Sequence, residues 1–430
     1  MEIFADPKNS KEFLASSKTN KKIEVFADLQ VHSKHSRATS IHLSIDNLEK
    51  YGRIKGLNLI GTGDFQHPLH RKEIDEKLTE DDKGILRTKS GFAFLWQTEV
   101  SLMFTQGGKG RAIHLLIFAP NTDVANKITE YLASKGRLDY DGRPIFGMSC
   151  RNLTHDLKEI DDKIEIIPAH CMTPWFGLFG SKKGFDSLKE CFEDQTDKIY
   201  AVESGMSADP GMLWRFEEIA GGKVNVVSFS DAHSFWPWRI GRESTIFEVD
   251  ELSYDNIIKA IRTGEGLKAT IETPPSYGKY HWDGHRDCDF SCNPRETKKL
   301  NGICPICKKP VTVGVDYRVE ELAKNPQGFK PKNAKPYHLL VPLHELISFN
   351  LNSPLASKKT WEIYNSLIDN FENEFNILLN ISKEKLLEKR FDEKLIELIL
   401  LNRQGKIFVK PGFDGEYGKI VLEDKQKTLL

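Results

Sequence analysis

The 430-residue sequence lacks the features that mark membrane and secreted proteins. It contains no run of about 18 or more apolar residues, the minimum for a membrane-spanning helix. Residues 1–8 also lack the basic and apolar regions of a secretory signal peptide. We therefore expect a cytoplasmic protein that does not contact a membrane.

The chain also has almost no net charge. It carries 61 lysines and arginines against 62 aspartates and glutamates, which leaves −1 when histidine is neutral. No overall positive potential is available to attract nucleic acid, so any such surface must be local. A hydrophobic content of 39% with 29% charged residues predicts a globular protein, and the length is sufficient for two or three domains.

Cysteine is scarce, with seven residues in the whole chain. Four of them lie between residues 288 and 307, and this local grouping is typical of metal binding in a reducing compartment rather than of a disulfide framework. The other three, Cys150, Cys171 and Cys191, are expected to be reduced thiols without a role in the chemistry.

The most informative residues are histidines and acids that lie just past, or close beside, short apolar β-like runs. Strands that converge on one end of a barrel bring such residues together, however distant they are in sequence. Imidazole and carboxylate groups in one cluster predict a site for several metal ions. The candidate ligands are His32, Asp64, His67, Glu99, His114, His170, Glu203, Asp231 and His233.

Each of these residues, taken alone, is more typical of a turn or of a hydrogen-bonded buried histidine. The set favours metal binding, because two segments each place an acid and a histidine at one strand end. These are Asp231 with His233, and Asp64 with His67.

The distribution of apolar runs predicts three units. Residues 20–270 alternate short β-like runs with helical stretches such as 45–51 and 255–261, which predicts an α/β barrel over residues 1–272. Two prolines and a glycine within 272–278 end this pattern. A cysteine-bearing module at 279–325 and a third unit at 326–430 follow.

The cysteine module has few apolar periods of its own. Its cysteines form two closely spaced pairs, and two such pairs on separate turns predict a tetrahedral site for a structural Zn²⁺. Small modules of this kind are held together by the metal. The predicted ligands are Cys288, Cys292, Cys304 and Cys307.

The third unit begins with a basic segment. No acidic residue lies between Glu321 and Glu345, and Phe329 and Tyr337 accompany the lysines. Such a segment suits contacts with DNA phosphates, although a solvated linker explains it equally well. The candidate DNA-binding residues are Lys324, Lys330, Lys332 and Lys335.

Two helices are predicted beyond this segment. Apolar residues recur every four positions from Ile363 to Phe375, which gives one apolar helical face. Ser382 is a suitable N-cap for a second helix that runs through Leu401. Core packing explains this apolar pattern, so the pattern does not indicate a function.

Several motifs resemble those of the PHP (polymerase and histidinol phosphatase) superfamily, and within it the endonuclease Q family. The resemblance extends essentially end to end, through the cysteine module. The motifs are Phe26-Ala-Asp-Leu-Gln-Val-His-Ser33, Gly61-Thr-Gly-Asp-Phe-Gln-His-Pro68, Pro168-Ala-His-Cys-Met-Thr-Pro-Trp-Phe-Gly177, Glu203-Ser-Gly-Met-Ser-Ala-Asp-Pro210, Ser230-Asp-Ala-His-Ser234, Tyr280-His-Trp-Asp-Gly-His-Arg286, Gly302-Ile-Cys-Pro-Ile-Cys307 and Gly314-Val-Asp-Tyr-Arg-Val-Glu-Glu-Leu-Ala323.

The resemblance implies a PHP-type distorted β/α barrel followed by the zinc module and a C-terminal helical unit. It implies two or three divalent ions (Zn²⁺, Mn²⁺ or Mg²⁺) in the barrel, with Asp231, Glu99 and His170 as catalytic residues. The implied activity is nicking of DNA on the 5′ side of deaminated bases (hypoxanthine, uracil, xanthine) and at abasic sites. A DNA sliding clamp or other repair factors are the implied protein partners.

The sequence departs from the family at one ligand position. The first motif of the family reads Asp-Leu-His-x-His, and Gln30 stands in place of its first histidine. An amide oxygen can bind a hard cation but is a poor substitute for imidazole at zinc. The family pattern also leaves the fourth structural zinc ligand open, because His285 or His281 could replace Cys292.

Two other classes of function compete with this interpretation. A small-molecule PHP phosphoesterase would share the barrel but has no need of the extension from residue 279 onward. A non-catalytic DNA-binding protein with a degenerate PHP site is the second, and Gln30 is the sequence feature in its favour.

Overall fold

The structure of the protein is a computed structural model that describes residues 22–421. Residues 1–8, on which the expected absence of a signal peptide depends, lie outside the described residues, as do the two ends of the expected first and third units. Within 22–421, no helix combines the length and apolarity needed to cross a membrane.

The first unit alternates strands and helices, as expected. Its strands are β1 (Ile23–Asp28), β2 (Leu59–Gly61), β3 (Thr79–Glu80), β4 (Leu86–Arg87), β5 (Ala93–Leu95), β6 (Gln97–Gln106), β7 (Lys109–Phe118), β8 (Ile145–Phe146), β9 (Glu165–Pro168), β10 (Ala201–Glu203), β11 (Asn225–Val227), β12 (Ser244–Val249) and β13 (Leu267–Glu272). Its helices are α1 (Ile45–Lys55), α2 (Pro68–Lys77), α3 (Thr122–Lys135), α4 (Cys150–Ile160), α5 (Leu188–Phe192), α6 (Pro210–Leu213), α7 (Glu217–Ala220) and α8 (Tyr254–Thr263), with 3₁₀ turns at Glu193–Lys198 and Gly205–Ser207.

Local sequence accounts for the helix ends. In α8, the Ser253 side chain accepts a hydrogen bond from the N–H of Asn256, and Gly264 ends the helix in the left-handed conformation. One face of the helix buries Ile257 and Ile261 in the core. Burial of each such side chain contributes roughly 1.5–3 kcal/mol, so packing rather than propensity holds the helix in place.

The strands of the first unit form three hydrogen-bonded sheets in a distorted barrel arrangement. An eight-stranded sheet has the order β16-β13-β12-β1-β2-β5-β4-β3, in which β16 is Tyr337–Leu339. A four-stranded sheet has the order β8-β6-β7-β9, and β10 pairs with β11 in parallel. No continuous ladder closes these sheets into one barrel over residues 22–421.

Single backbone contacts link the sheets near the ends of their strands. The N–H of Cys171, just past β9, donates to the carbonyl of Glu203 at the end of β10 at 2.9 Å. Beyond β1 and β11, Val31 and Ala232 form a parallel bridge. The carboxyl ends of β1, β9, β10 and β11 therefore meet in one place, as the expected α/β fold requires.

The cysteine module follows the barrel after a 3₁₀ turn at Pro275–Tyr277. It contains β14 (Asp283–His285), β15 (Phe290–Cys292), α9 (Pro294–Lys299) and α10 (Val315–Leu322), with a 3₁₀ turn at Arg286–Cys288. Strands β14 and β15 form an antiparallel hairpin, and Asn293 caps α9 through a reciprocal contact with Glu296.

The third unit is helical and differs from the prediction in two places. The predicted helical face from Ile363 to Phe375 is interrupted at Glu372, which adopts a left-handed φ of 72°. Its elements are α11 (Leu343–Leu351), α12 (Lys358–Phe371), α13 (Glu374–Leu379), α14 (Lys383–Glu388), α15 (Glu393–Arg403), β17 (Val409–Lys410) and β18 (Lys419–Ile420). Ser382 caps α14, as predicted. A single helix through Leu401 is wrong, because Arg390 adopts a left-handed φ of 59° and Asp392 caps a new helix.

The basic segment is tied to the barrel rather than free. It leads into β16, which pairs in parallel with β13 and extends the barrel sheet. The N–H of Lys324 also donates to the carbonyl of Arg215 at 2.9 Å. The linker interpretation of this segment therefore does not fit its ordered contacts.

Candidate metal centre

Two groups of potential metal ligands meet where the strands converge. In the first, His32, Asp231 and His233 each offer a ligand atom, and these atoms lie within 4.8 Å of one another. The second group contains Glu99, His114 and His170 with the same spacing. Four of the predicted ligands lie outside these two groups, namely Gln30, Asp64, His67 and Glu203.

Glu99 joins the two groups. Its Oε1 lies 2.6 Å from Nδ1 of His114 and 3.4 Å from Nε2 of His170. Its Oε2 lies 3.1 Å from Nε2 of His32, in the other group. A carboxylate with one oxygen toward each group has the geometry of a ligand shared by two cations.

The prediction that Glu99 and His114 lie at strand ends is wrong. Both lie inside the long hairpin of β6 and β7, where Glu99 pairs with Leu116 and Ser101 pairs with His114. The two are diagonal neighbours on one face of the hairpin, which brings their side chains together. The register of the hairpin therefore places Glu99 and His114 in the site, and neither residue lies at a strand end.

Three residues of the site adopt strained backbone conformations. Asp64, His170 and Asp231 have φ values of 35°, 31° and 48°, in the left-handed region that non-glycine residues rarely occupy. Each follows a strand directly or within a few residues. Strain of this kind persists where the surrounding structure fixes a side chain for function.

Asp64 orients His32. Its Oδ1 lies 3.1 Å from Nδ1 of His32, while its Oδ2 accepts hydrogen bonds from the Ser33 N–H at 2.7 Å and the Ser36 hydroxyl at 2.8 Å. The other ring nitrogen of His32 faces Asp231 at 3.1 Å. A carboxylate behind a histidine fixes the direction of its free nitrogen, as the outer partners of metal ligands do.

His67 lies beside the two groups. It precedes α2, and its ring stacks on that of His35 with centroids 4.5 Å apart. Glu203 is fully buried, and its Oε2 accepts the N–H of His170. Both predicted ligands therefore border the centre.

Gln30 contacts the shared carboxylate. Its Nε2 donates to Oε2 of Glu99 at 2.9 Å, and its own Oε1 is buried. The amide thus occupies the position of the absent histidine while holding Glu99 in place.

Buried atoms at the site have no hydrogen-bond partner within residues 22–421. They include Oε1 of Gln30, Nδ1 of His67, Nδ1 of His170 and Oε1 of Glu203. A buried polar atom without a partner costs about 1–3 kcal/mol, so native proteins rarely leave several together. Cations at this centre would satisfy such atoms, and the residues present therefore fit metal ions.

The protonation states also suit cations. Burial lowers the pKa of His114 to about 4 and lowers the pKa of His233, so both rings are neutral near pH 7. Although burial favours its neutral acid, the charge of Arg143 and the hydrogen bond of His114 hold the pKa of Glu99 well below its usual range. Metal ligands must be neutral imidazoles and ionised carboxylates.

His32 itself carries the opposite shift. Burial opposes its protonation, but the negative charge of Asp64 and the hydrogen bonds of Asp231 raise the pKa of His32 well above its usual value. The imidazolium charge lies among carboxylates, where the charge of a bound cation would replace it.

Arginines that the sequence did not single out surround the centre. Arg143 Nη1 lies 3.4 Å from Oε1 of Glu99. A pocket of about 170 Å³ is lined by Arg239 and Arg242 together with Glu345. Arg242 donates from Nε and Nη2 to the carbonyl of Ser230, the residue before Asp231. No periodic pattern marks these residues, since distant loops bring them here.

The cysteine module contains a third group. His285, Cys288, Cys304 and Cys307 offer ligand atoms within 4.8 Å of one another. Cys292 lies outside this group, where its Sγ contacts the Thr297 hydroxyl at 3.2 Å. Burial raises the pKa of Cys304, but hydrogen bonds from the backbone N–H groups of Cys307 and Ile306 lower it, and the pKa is lower than usual. A lowered thiol pKa is expected in a turn that binds zinc. His285 is thus the candidate fourth ligand.

The other candidate residues lie apart from these groups. Burial raises the pKa of the Cys171 and Cys191 thiols well above the usual value, which makes them unreactive. Lys324, Lys330 and Lys332 are exposed on the basic segment, and Lys335 is half-buried. Exposure is compatible with phosphate contacts.

Comparison with known proteins gives one domain match and two relatives. The model of the MJ0043 C-terminal domain matches residues 342–406. An uncharacterised protein, MJ0043 of Methanocaldococcus jannaschii, is 36% identical over 256 residues, covering 58% of this chain and 31% of that protein. The chain thus spans about a third of that relative's length. Uncharacterised protein YqxK of Bacillus subtilis is 27% identical, covering 92% of this chain and 99% of that protein.

Two solved structures match nearly the whole chain. The lesion-specific endonuclease PfuEndoQ of Pyrococcus furiosus matches with a TM-score of 0.84 and 29% identity, over 94% of this chain and 97% of that one. An endonuclease Q complex with a 27-mer duplex, which has an abasic lesion at the active site, matches with a TM-score of 0.82 and 29% identity over 94% and 98%. The resemblance expected from the motifs is confirmed: from barrel to C-terminal helices, this chain is similar to endonuclease Q.

Proposed function

We propose that this protein is a metal-dependent DNA endonuclease that nicks DNA at damaged nucleotides. The proposed substrates are deaminated bases (hypoxanthine, uracil and xanthine), nicked on their 5′ side, and abasic sites. The observation that carries the proposal is Glu99, whose two oxygens face two groups of metal ligands in a chain similar throughout to an endonuclease. A small-molecule phosphoesterase does not explain the matched extension.

The residues would hold two or three divalent ions (Zn²⁺, Mn²⁺ or Mg²⁺). His32, Asp231 and His233 would bind one ion, Glu99, His114 and His170 another, and Gln30, Asp64, His67 and Glu203 border both. Such ions, when bound, activate water and neutralise charge on a phosphodiester. Asp231 and His233 are 30% and 31% exposed, so they line the side from which a substrate enters.

Other side chains position the ligands and the phosphate. Asp64 fixes the ring of His32, and Gln30 fixes Glu99. The guanidinium groups of Arg239 and Arg242 line one pocket, and Arg242 also contacts the carbonyl of Ser230, so these arginines are the proposed contacts of a phosphate of the bound strand. These two arginines would neutralise the negative charge of the phosphate and would not take part in proton transfer.

The remaining units would grip the duplex. We propose that His285, Cys288, Cys304 and Cys307 bind a structural Zn²⁺ that holds the module together. Lys324, Lys330, Lys332 and Lys335 are the proposed phosphate contacts of the third unit. A cytoplasmic location, and contact with a DNA sliding clamp or other repair factors, are further parts of the proposal that rest on the resemblance.

A nick-mapping assay tests this function. End-labelled duplexes with a central hypoxanthine, uracil, xanthine or abasic site are incubated with the Mn²⁺-loaded protein, beside the same duplex without a lesion. We expect one nick 5′ of each lesion, no nick in the undamaged duplex and no nick in EDTA. Binding of lesion-bearing DNA without any nick would instead favour the non-catalytic alternative, for which Gln30 is the specific observation.

A further inference from the structure

Two carboxyl groups are buried side by side near the ends of β11, β12 and β13. Glu243 directly precedes β12, Glu272 ends β13, and both side chains are fully buried. The two carboxyl groups are hydrogen-bond partners of each other. Such a bond requires a proton, because two carboxylates offer acceptors only. We call Glu243 and Glu272 the acid pair.

Ser228 connects the acid pair to the end of β11. Its hydroxyl lies 2.8 Å from Oε2 of Glu243 and 2.9 Å from Oε2 of Glu272. Its N–H donates to the hydroxyl of Thr245 in β12, which in turn donates to the Ser228 carbonyl, both at 3.0 Å. Strands β11 and β12 belong to different sheets. Side-chain hydrogen bonds therefore join two strands that no backbone ladder pairs within residues 22–421.

Ser204 connects the acid pair to the end of β10. Its hydroxyl donates to Oε2 of Glu272 at 2.8 Å. Ser204 directly follows Glu203, a candidate ligand at the border of the centre. Ser228 stands three residues before Asp231. The acid pair is therefore bonded to the two strand ends that carry these candidate ligands.

The other neighbours of the acid pair supply little positive charge. The hydroxyl of Thr270 donates to Glu272 at 2.6 Å, and the N–H of Thr273 donates to Glu243 at 2.7 Å. The titratable groups that face the pair from other segments are Arg242, Tyr337 and Cys171. One guanidinium group balances at most one of two carboxylates. A proton on the acid pair is the simplest way to neutralise the second.

The pKa values of the two acids agree with a bound proton. Burial raises the pKa of Glu272 well above its usual value, and the negative charge of Glu243 raises it further. Burial also raises the pKa of Glu243, although hydrogen bonds from Glu272 and from the Thr273 N–H oppose this shift. Two like charges in one buried site do not ionise together.

We propose that the acid pair holds one shared proton and thereby positions Glu203 and Asp231 for the metal ions. The inference rests on the proposed function, whose metal centre it completes. With the proton in place, one hydrogen bond joins the two acids and keeps the ends of β10 and β11 together. Without it, two adjacent buried carboxylates repel each other, and these strand ends separate.

The affinity for Mn²⁺ tests the positioning role, and electron paramagnetic resonance of the free ion measures it on the full chain. Ser228→Ala removes the hydroxyl that contacts both acids and should raise the Kd for Mn²⁺ by roughly ten-fold, as loss of an outer contact at a metal site does. Glu165→Gln is the matched control. Glu165 is equally buried, in an ion pair with Arg262, but it lies at the opposite end of β9 from His170. This control should leave the Kd unchanged.

A pH series distinguishes a shared proton from simple packing. In Glu243→Gln, an amide N–H replaces the proton, so the contact with Glu272 does not depend on pH, and the Kd for Mn²⁺ at pH 7 should stay within about two-fold of the parent's. The parent retains a proton that its unfolded chain loses above the ordinary carboxyl pKa, so its folding weakens as the pH rises. Between pH 5 and pH 9, the folding equilibrium constant of the parent should fall relative to that of Glu243→Gln, by up to about ten-fold per pH unit. Urea unfolding of both proteins measures this ratio.

Two results would overturn the proposal. One is a Kd for Mn²⁺ of Ser228→Ala equal to the parent's. The other is a ratio of folding constants between the parent and Glu243→Gln that does not change with pH. Neither measurement uses DNA, so their outcome is separate from that of the nicking assay. A parent that shows both effects but nicks no damaged duplex would refute the proposed function and still support the acid pair as part of a metal centre.

Discussion

A buried ion pair connects the barrel to the C-terminal helices and should make Lys55→Met costly. Lys55 Nζ lies 2.7 Å from Oε1 of Glu374, with the two side chains 1% and 0% exposed, and donates to the carbonyl of Pro237 at 2.9 Å. Glu374 also accepts the N–H of Leu343 at 3.0 Å and the hydroxyl of Tyr364 at 2.8 Å. One carboxylate therefore ties α1, α11 and α12 together.

The expected magnitude follows from what remains after the substitution. Lys55→Met leaves Glu374 charged and buried with two neutral donors, and removal of one partner from a buried pair costs about 3–5 kcal/mol. Adding Glu374→Gln removes the isolated charge and keeps the side-chain size. The double variant should therefore be more stable than Lys55→Met alone, by about 1–2 kcal/mol.

Urea unfolding followed by tryptophan emission measures these differences. Trp238 and Trp361 report on the contact itself, since their rings lie 5.8 Å apart beside the ion pair. Lys77→Met is the matched control, because its ion pair with Asp46 is exposed and should leave the unfolding midpoint nearly unchanged. Two results would refute this expectation. One is a free energy of unfolding of Lys55→Met within about 1 kcal/mol of the parent's. The other is a double variant that is less stable than Lys55→Met.

Two further substitutions test the metal sites. Cys304→Ser should release the structural zinc, whereas Cys292→Ser should retain it. The reason is that the structure groups His285 with three cysteines and places Cys292 against Thr297. Elemental analysis that shows zinc loss from Cys292→Ser would contradict this ligand set. Gln30→His should lower the Mn²⁺ concentration needed for nicking, because imidazole is the stronger ligand. An unchanged or higher Mn²⁺ requirement would show instead that the hydrogen bond from Gln30 to Glu99 is needed.

Part of the candidate site follows directly from the sequence. His32, His170 and Asp231 each follow an apolar run, and their strands end side by side in the structure. The inference works because the direction of a parallel strand fixes where its carboxyl end lies. The strained φ values of His170 and Asp231 leave no trace in an apolar pattern, so they were not predictable.

Hairpin geometry accounts for the main error. Glu99 and His114 were predicted at strand ends, but β6 and β7 continue well past both. An apolar run shows that a strand exists without fixing its length or its register. Because the pairing of Glu99 with Leu116 decides which face carries both groups, their approach required the tertiary structure.

Contacts between distant segments were the least predictable. Nothing near Arg143 in sequence marks it as a neighbour of Glu99, and β16 pairs with β13 across the whole cysteine module. Spacing alone likewise favours Cys292 over His285 as a zinc ligand, because two regular cysteine pairs form the simpler pattern. The grouping of His285 with three cysteines depends on how the module packs, which spacing does not show.

We propose that the centre around Glu99 cleaves damaged DNA, and Asp231→Asn tests this activity most directly. Asp231 contacts His32 at 3.1 Å and is partly exposed, so an amide keeps its shape while removing the charge that a cation requires. Single-turnover nicking of a uracil-containing duplex and its binding are measured together, with Asp250→Asn, at an exposed position, as the control. We predict nicking reduced by about 100-fold or more with DNA binding retained. Nicking by Asp231→Asn at the parental rate would contradict the account.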